Sequence, residues 1–173
     1  MKKAFFLLIL VYAGLALSVI SCKSDNSAFI IGLNQNIHHD DFEYSVTAFS
    51  KTPEIIGERD TIYAMGIYYI VHFKTENKAL RVDHNWSNSI AYIIDEKGNI
   101  FDNIEENQYV INKSKPFGLK ESYITRHGES DTTLLVFDIP ADVREPYLMI
   151  RGGTLMGDIF DSGRFRKMKI KLF

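Results

Sequence analysis

Apolar and polar side chains alternate with a period of two through most of this chain beyond its first 28 residues. In "FEYSVTAF" the residues Phe42, Tyr44, Val46 and Ala48 share one face, with Glu43, Ser45 and Thr47 on the other. In "YAMGIYYIVHF", Tyr63, Met65, Ile67, Tyr69, Val71 and Phe73 face one way; Ala64, Gly66, Tyr68, Ile70 and His72 face the other. Successive side chains of an extended chain point to opposite faces, so these runs predict strands. "SIAYIIDEKGNIF" is two apolar runs around a turn in which Gly98 supplies the positive φ that a hairpin requires. "TTLLVFDIP" ends at Pro140, which has no N–H to donate and therefore suits a strand end. "PYLMI" and the terminal "RKMKIKLF" complete the set. In the last, Met168, Ile170 and Leu172 face inward, and Lys167, Lys169 and Lys171 face water. A 3.6-residue period is absent apart from a helical turn over Ile104 to Tyr109. Short strands rich in Ile, Tyr, Phe and Val with regular turn signals predict an all-β chain, an immunoglobulin-like antiparallel β-sandwich.

The first 28 residues follow a different pattern. Lys2 and Lys3 precede an uncharged apolar run from Ala4 to Ile20, which stops at Ser21-Cys22 before the polar "KSDNS". A charged start, an apolar centre and a small residue at the cut form the layout of a secretory signal. The run is short of the roughly 20 apolar residues that cross about 30 Å of hydrocarbon. "VISC", Val19 to Cys22, resembles a bacterial lipobox: the sulfur of Cys22 accepts a diacylglyceryl group, and small Ser21 admits the peptidase. Two or three acyl chains at about 0.8 kcal/mol per buried methylene give stable anchoring. The expected organisation is a signal peptide over 1–21, a lipidated Cys22 with a short tether over 22–28, and one domain over 29–173. Lys23 at the second mature position favours the outer membrane, periplasmic or surface-facing, over the inner.

Composition narrows the partners. The formal net charge is −2, and it becomes more acidic by two once Lys2 and Lys3 are removed. Neither that balance nor any aromatic-interleaved basic patch suits nucleic acid. Cys22 is the only cysteine, so an exported chain has no internal disulfide. No tract of biased composition or internal repeat suggests a second unit, and a monomer is expected.

Four segments carry a family resemblance. "IIGLNQNIHHDDFEYSVTAF", "YYIVHFKTENKA" running into Asn77, "IAYIIDEKGNIFD" and "HGESDTTLLVFDIP" occur in the order found in the telokin-like, immunoprotective-antigen-type immunoglobulin-fold extracellular domains of bacterial lipoproteins. Together the segments span roughly Ile30 to Ile150. The chain departs from that pattern over Arg151 to Gly163. The resemblance implies an exported immunoglobulin-like module and carries no catalytic residue across.

Several clusters invite chemistry. "HHDD", His38, His39, Asp40 and Asp41, offers ligands for Zn²⁺, although on an extended chain only alternate members converge. Loop oxygens at Asp95, Glu96, Asn99, Asp158 and Asp161 suit Ca²⁺, yet the EF-hand spacing is missing and turn chemistry accounts for Asp95 and Gly98. There is no G-x-S-x-G elbow and no H-E-x-x-H helix, so no enzyme is expected and no cofactor is called for. Trp86 in "DHNWSNS" covers the core or stacks on a ligand. The Lys167, Lys169 and Lys171 stripe, with Arg164 and Arg166, is read as a solvated face blunting an edge strand, or as a contact with anionic headgroups. The loop "GGTLMGDIFDSG" places Leu155, Met156, Ile159 and Phe160 among glycines, and these four are the predicted partner-binding residues. Two functions follow. The favoured one is a membrane-anchored, non-catalytic binding or structural module for an envelope protein or glycan. The alternative is a metal-binding extracellular domain using His38, His39 and nearby carboxylates.

Overall fold

The computed structural model describes residues 28–57, 60–113, 122–151 and 165–173. Their strands are β1 (Phe29–Ile31), β2 (Ile37–His39), β3 (Phe42–Ile56), β4 (Thr61–Asn77), β5 (His84–Ser87), β6 (Ala91–Ile94), β7 (Ile100–Asp102), β8 (Ser122–Thr125), β9 (Ser130–Ile139), β10 (Tyr147–Ile150) and β11 (Met168–Lys171), with one helix, α1 (Glu105–Lys113). A front sheet has the order β2-β3-β4-β9 and a back sheet the order β1-β11-β10-β6-β7; β5 and β8 form a separate ribbon. Every pairing is antiparallel except that of β1 with β11. The predicted immunoglobulin-like β-sandwich is the observed fold.

The core lies between the two sheets. Val46, Tyr69, Val71, Phe73, Leu135 and Phe137 from the front meet Ala91, Ile93, Leu148, Ile150 and Ile170 from the back. Side chains of this size contribute about 1.5–3 kcal/mol each when fully buried. Trp86 belongs to this core, stacked on Tyr123 with ring centroids 4.1 Å apart, and its Nε1–H donates to the Thr125 hydroxyl at 2.9 Å. The core-covering reading of Trp86 is the observed one.

A second apolar cluster sits on the outer face of the front sheet. Ile55, Tyr68, Leu134 and Val136 pack with Ile111, Val110 and Ile104 of the helical segment. The helix is longer than the single turn read from the sequence. Its apolar residues are too few to show a strong period, and a sheet face that would otherwise be wet holds it in place. Because both faces of the front sheet are covered, β4 and β9 carry nearly continuous apolar runs.

Irregularities in β3 also change its predicted faces. The register with β4 shifts between Val46 and Ala48 and again between Thr52 and Glu54. The first bulge turns Ala48 out to solvent and brings Phe49 in against the core, as an extra residue inverts the alternation beyond it. Pro53 falls at the second shift, where a missing N–H costs no ladder bond. The lysine stripe is corrected too: β11 is an interior strand, and Lys169 and Lys171 lie over the rings of Tyr147 and Phe173. Asp95 caps its turn as read, accepting from the amides of Lys97 and Asn99 at 2.9 and 2.8 Å, with Gly98 at φ 88°.

Where β4 passes the end of β9, Gly66 allows a close approach. A Cβ there would lie 2.1 Å from the carbonyl oxygen of Ile139 and 2.9 Å from the Cα of Pro140. Both are backbone atoms that cannot swing aside. Gly66→Ala is therefore expected to destabilise the domain by about 3 kcal/mol, read as a lower urea midpoint at unchanged slope.

Candidate functional site

Strand directions sort the loops into two ends. β3 runs from Phe42 to Ile56, and β4 returns from Thr61 to Asn77, opposite Phe42. The turn at 126–129 leads into β9, which starts at Ser130 opposite Glu76. In the back sheet, Phe165 precedes β11 and stacks on His39, ring centroids 4.0 Å apart, and the Phe29 amide donates to the Lys167 carbonyl at 3.0 Å. The described chain thus starts at the end that carries the Asp40-Asp41 turn, the 78–83 loop and the 126–129 turn. We call this the N-terminal pole. The far pole carries the Ile56 and Thr61 ends of β3 and β4, the Asp95–Asn99 turn and the 140–146 connection.

Asn77 holds the N-terminal pole together. Its side chain is fully buried; Nδ2 donates to the carbonyls of Val82 and Thr125 at 2.7 and 2.9 Å, and Oδ1 accepts from the Ala79 amide at 2.9 Å. Its backbone joins Glu129 and Gly128, and next to it the Lys78 amide donates to the Asp41 carbonyl. One side-chain amide thus ties the 78–83 loop to the end of β8. Asn77→Ala strands two carbonyls and an N–H, with an expected cost of about 3 kcal/mol. Asn77→Asp should not rescue it, since both carbonyls need a donor; thermal melts of the two variants decide.

The metal candidates lie at this pole but diverge. On β2, His38 is exposed and His39 buried. His38 Nδ1 lies 3.9 Å from Glu43. Asp40 occupies the turn at φ 55°, a conformation that Asp tolerates, and Asp41 is exposed. Among the described residues, no group of three or more His, Cys, Asp or Glu side chains gathers as a metal-holding set. His39 instead belongs to an aromatic cluster that the sequence did not reveal. His84 stacks on Phe42 at 3.9 Å and shares a 2.9 Å hydrogen bond between its Nε2 and the Tyr44 hydroxyl. Burial pushes the Tyr44 phenol well above its ordinary value, with Asp40 adding to the shift. His39 Nδ1 is buried without a hydrogen-bond partner among the described residues. Burial, and then the charge of a nearby His39, lower the pKa of His84 to about 4.

This cluster has a consequence in solution. Above pH 6.5 His84 is neutral both folded and unfolded. As pH falls from 6.5 to about 4, the unfolded chain takes up a proton that the folded chain refuses, so stability declines across that window and levels off below it. Allowing for partial solvent exposure, the loss between pH 7 and 5 is about 1 kcal/mol. His84→Gln should remove that part of the pH dependence, measured by urea unfolding at the two pH values.

Beside the cluster lies an open depression of about 380 Å³, lined in part by Lys74, Glu76, Lys78, Leu80 and His127. Lys74 pairs with one oxygen of Glu76, and Lys78 reaches the other at 2.6 Å. Hydrogen bonds from the two lysines hold Glu76 below the usual carboxylate range. Glu76 is thus shared between two lysines, and Glu129, Ser130 and His127 complete the polar part of the lining.

The far pole presents an apolar surface. β3 and β4 run past the last β9 pair, Ile67 with Ile139, and continue as a two-stranded ribbon. The Asp138 carboxylate accepts from the Met65 and Gly66 amides at 2.7 and 3.0 Å, capping the edge that β9 leaves. Tyr63 and Met65 belong to the face that farther along β4 fills the core, and pairing puts Ile56 on that same side. The back sheet does not cover them: Met65 is 99% exposed, Ile56 75% and Tyr63 70%. Cys22, Leu155, Met156, Ile159 and Phe160, and with them Asp158 and Asp161, lie outside the described residues.

The chain matches no model of a known protein family, and it matches none of the curated proteins. Solved structures do share its architecture. It is similar to the yjhA protein of Bacillus subtilis, with 12% identity and a TM-score of 0.56 over 82% of this chain and 98% of that one. It is likewise similar to MPT63, a secreted protein of Mycobacterium tuberculosis (10% identity, TM-score 0.55, covering 84% and 98%), and to an uncharacterised β-sandwich protein of Clostridium difficile (10%, 0.52, 88% and 99%). What these proteins share with this chain is the β-sandwich fold.

Proposed function

We propose that this protein is a lipid-anchored, non-catalytic binding module of the bacterial cell envelope, exported by its first 21 residues and tied to the outer membrane through Cys22. The observation that carries the reading is the opposition of the two poles. The chain emerges from the signal region at one pole, and the apolar ribbon of Ile56, Tyr63 and Met65 projects from the other. β3 alone is 15 residues long, roughly 45 Å at about 3.3 Å per residue, so the ribbon stands clear of the bilayer and faces a partner. Monomeric proteins rarely expose large apolar side chains in such a group unless it makes a contact. The similarity to a secreted protein of the same fold supports the exported setting. The apolar residues Leu155, Met156, Ile159 and Phe160 offer a second contact, on a segment whose flanks, Arg151 and Phe165, belong to the N-terminal pole.

Photo-crosslinking in cells, with the reactive residue at Met65 or at Met156, tests the two surfaces. Adducts with one envelope protein or glycan at Met65 are expected, and Tyr63→Asp should reduce them about tenfold at an unchanged melting temperature. Undiminished adducts would remove the ribbon as the contact. Cys22→Ser should move the protein out of the membrane fraction; a variant that stays there rejects the anchor.

A further inference from the structure

Among the described residues, exposed apolar side chains at the N-terminal pole, Leu80 and Val82 foremost, are explained neither by the fold nor by the ribbon. Leu80 is 87% exposed and Val82 56%, on either side of the exposed Arg81. The loop that carries them is not slack. The Val82 carbonyl accepts from buried Asn77, the Ala79 amide donates to the same side chain, and the Lys78 amide is held by Asp41. A loop pinned at both ends presents its apolar tips at fixed height. Side by side with it, through the Asn77 bond to Thr125, stands the turn that carries the exposed Arg126. Phe29 and Ile30, 41% and 59% exposed, begin the described chain at the same pole.

We infer that this pole is a membrane-docking surface, whose occupant is the lipid bilayer itself. Leu80 and Val82 would enter the headgroup boundary, with Arg81 and Arg126 against lipid phosphates. The inference rests on lipidation of Cys22 as proposed above. Seven residues, Cys22 to Ala28, reach at most about 25 Å, so Phe29 stays within that distance of the anchor and its own pole is the one the tether favours. The tether turns docking into an intramolecular step at millimolar effective concentration. Two half-inserted aliphatic side chains and two arginines then suffice, although their free-solution affinity would be weak. Charge alone does not carry the surface, because Asp41, Asp83 and Glu129 are exposed beside the arginines. The far pole also exposes apolar side chains, Ile56, Tyr63 and Met65 of the ribbon, with Glu96, Asp142 and Glu145 around Lys97 and Arg144, but it lies at the end away from the tether. Docked in this way, the sandwich stands upright and its ribbon points outward.

The experiment uses the full lipidated chain in vesicles of phosphatidylcholine and phosphatidylglycerol at three to one. Acylation consumes Cys22, so Leu80→Cys and Met65→Cys each carry one free thiol for a bimane label. Quenching by nitroxide lipids is expected to be about threefold or more stronger at position 80 than at position 65, and Arg81→Glu should cut that excess. Vesicle-bound protein with equal quenching at the two positions overturns the docking inference and leaves the anchor standing. Protein that does not associate with vesicles, with an unmodified Cys22 by mass, overturns the anchor and the inference with it. If a photo-crosslinker at Leu80 in cells captures a protein and not lipid, the surface belongs to that partner and the inference fails.

Discussion

One buried amide closes the N-terminal end of the sandwich. Asn77 terminates the longest strand, and its three side-chain hydrogen bonds serve groups of the 78–83 loop and the end of β8. No apolar residue can replace it, since a buried carbonyl without a donor costs more than packing returns. The 78–83 loop and the 126–129 turn take their positions from this bond set. The β5–β8 ribbon, with Trp86 over the core, runs out from it, and the Leu80–Val82 tips are aimed by it. Next to it, Phe42 and His84 stack against the end of the first long strand.

β4 passes through three environments along its length. Near Asn77 it is a central strand with the core on one face and, toward the middle, the helical segment on the other. At Gly66 it brushes the backbone of Ile139 and Pro140, and a side chain has no room. Beyond that it pairs with β3 alone, and the same alternation that buries Val71 and Phe73 exposes Tyr63 and Met65. The apolar ribbon is thus the continuation of a core face past the rim of the sheet that covers it. That continuity explains why one unbroken pattern yields both core and exposed apolar surface.

The metal candidates illustrate a different division of labour. His38 and His39 are neighbours in sequence, and the pleat sends one to water and the other under Phe165. The side chain that meets the Tyr44 hydroxyl is His84, forty positions away. Packing of the β5–β8 ribbon against the front sheet made the partnership, and burial keeps the imidazole neutral through the physiological range. A cluster of titratable residues read along the chain is in this case two separate sites read across the fold.

Much of the architecture was legible in the residues. Alternation marked β3, β4 and β11, an apolar run ending at Pro140 marked β9, and Gly98 marked the tight turn, because steric and hydrogen-bonding limits act within a few residues. Strands β1, β2, β5 and β8 were not legible: they are three or four residues long and owe their pairing to distant partners. Nor was the extent of the helix, or the inversion of faces at the Val46–Ala48 bulge, which depends on register with β4. The sequence by itself determined which segments extend and which side chains are apolar. Only the tertiary structure decided which apolar faces are covered, because burial is a property of where the opposing sheet ends.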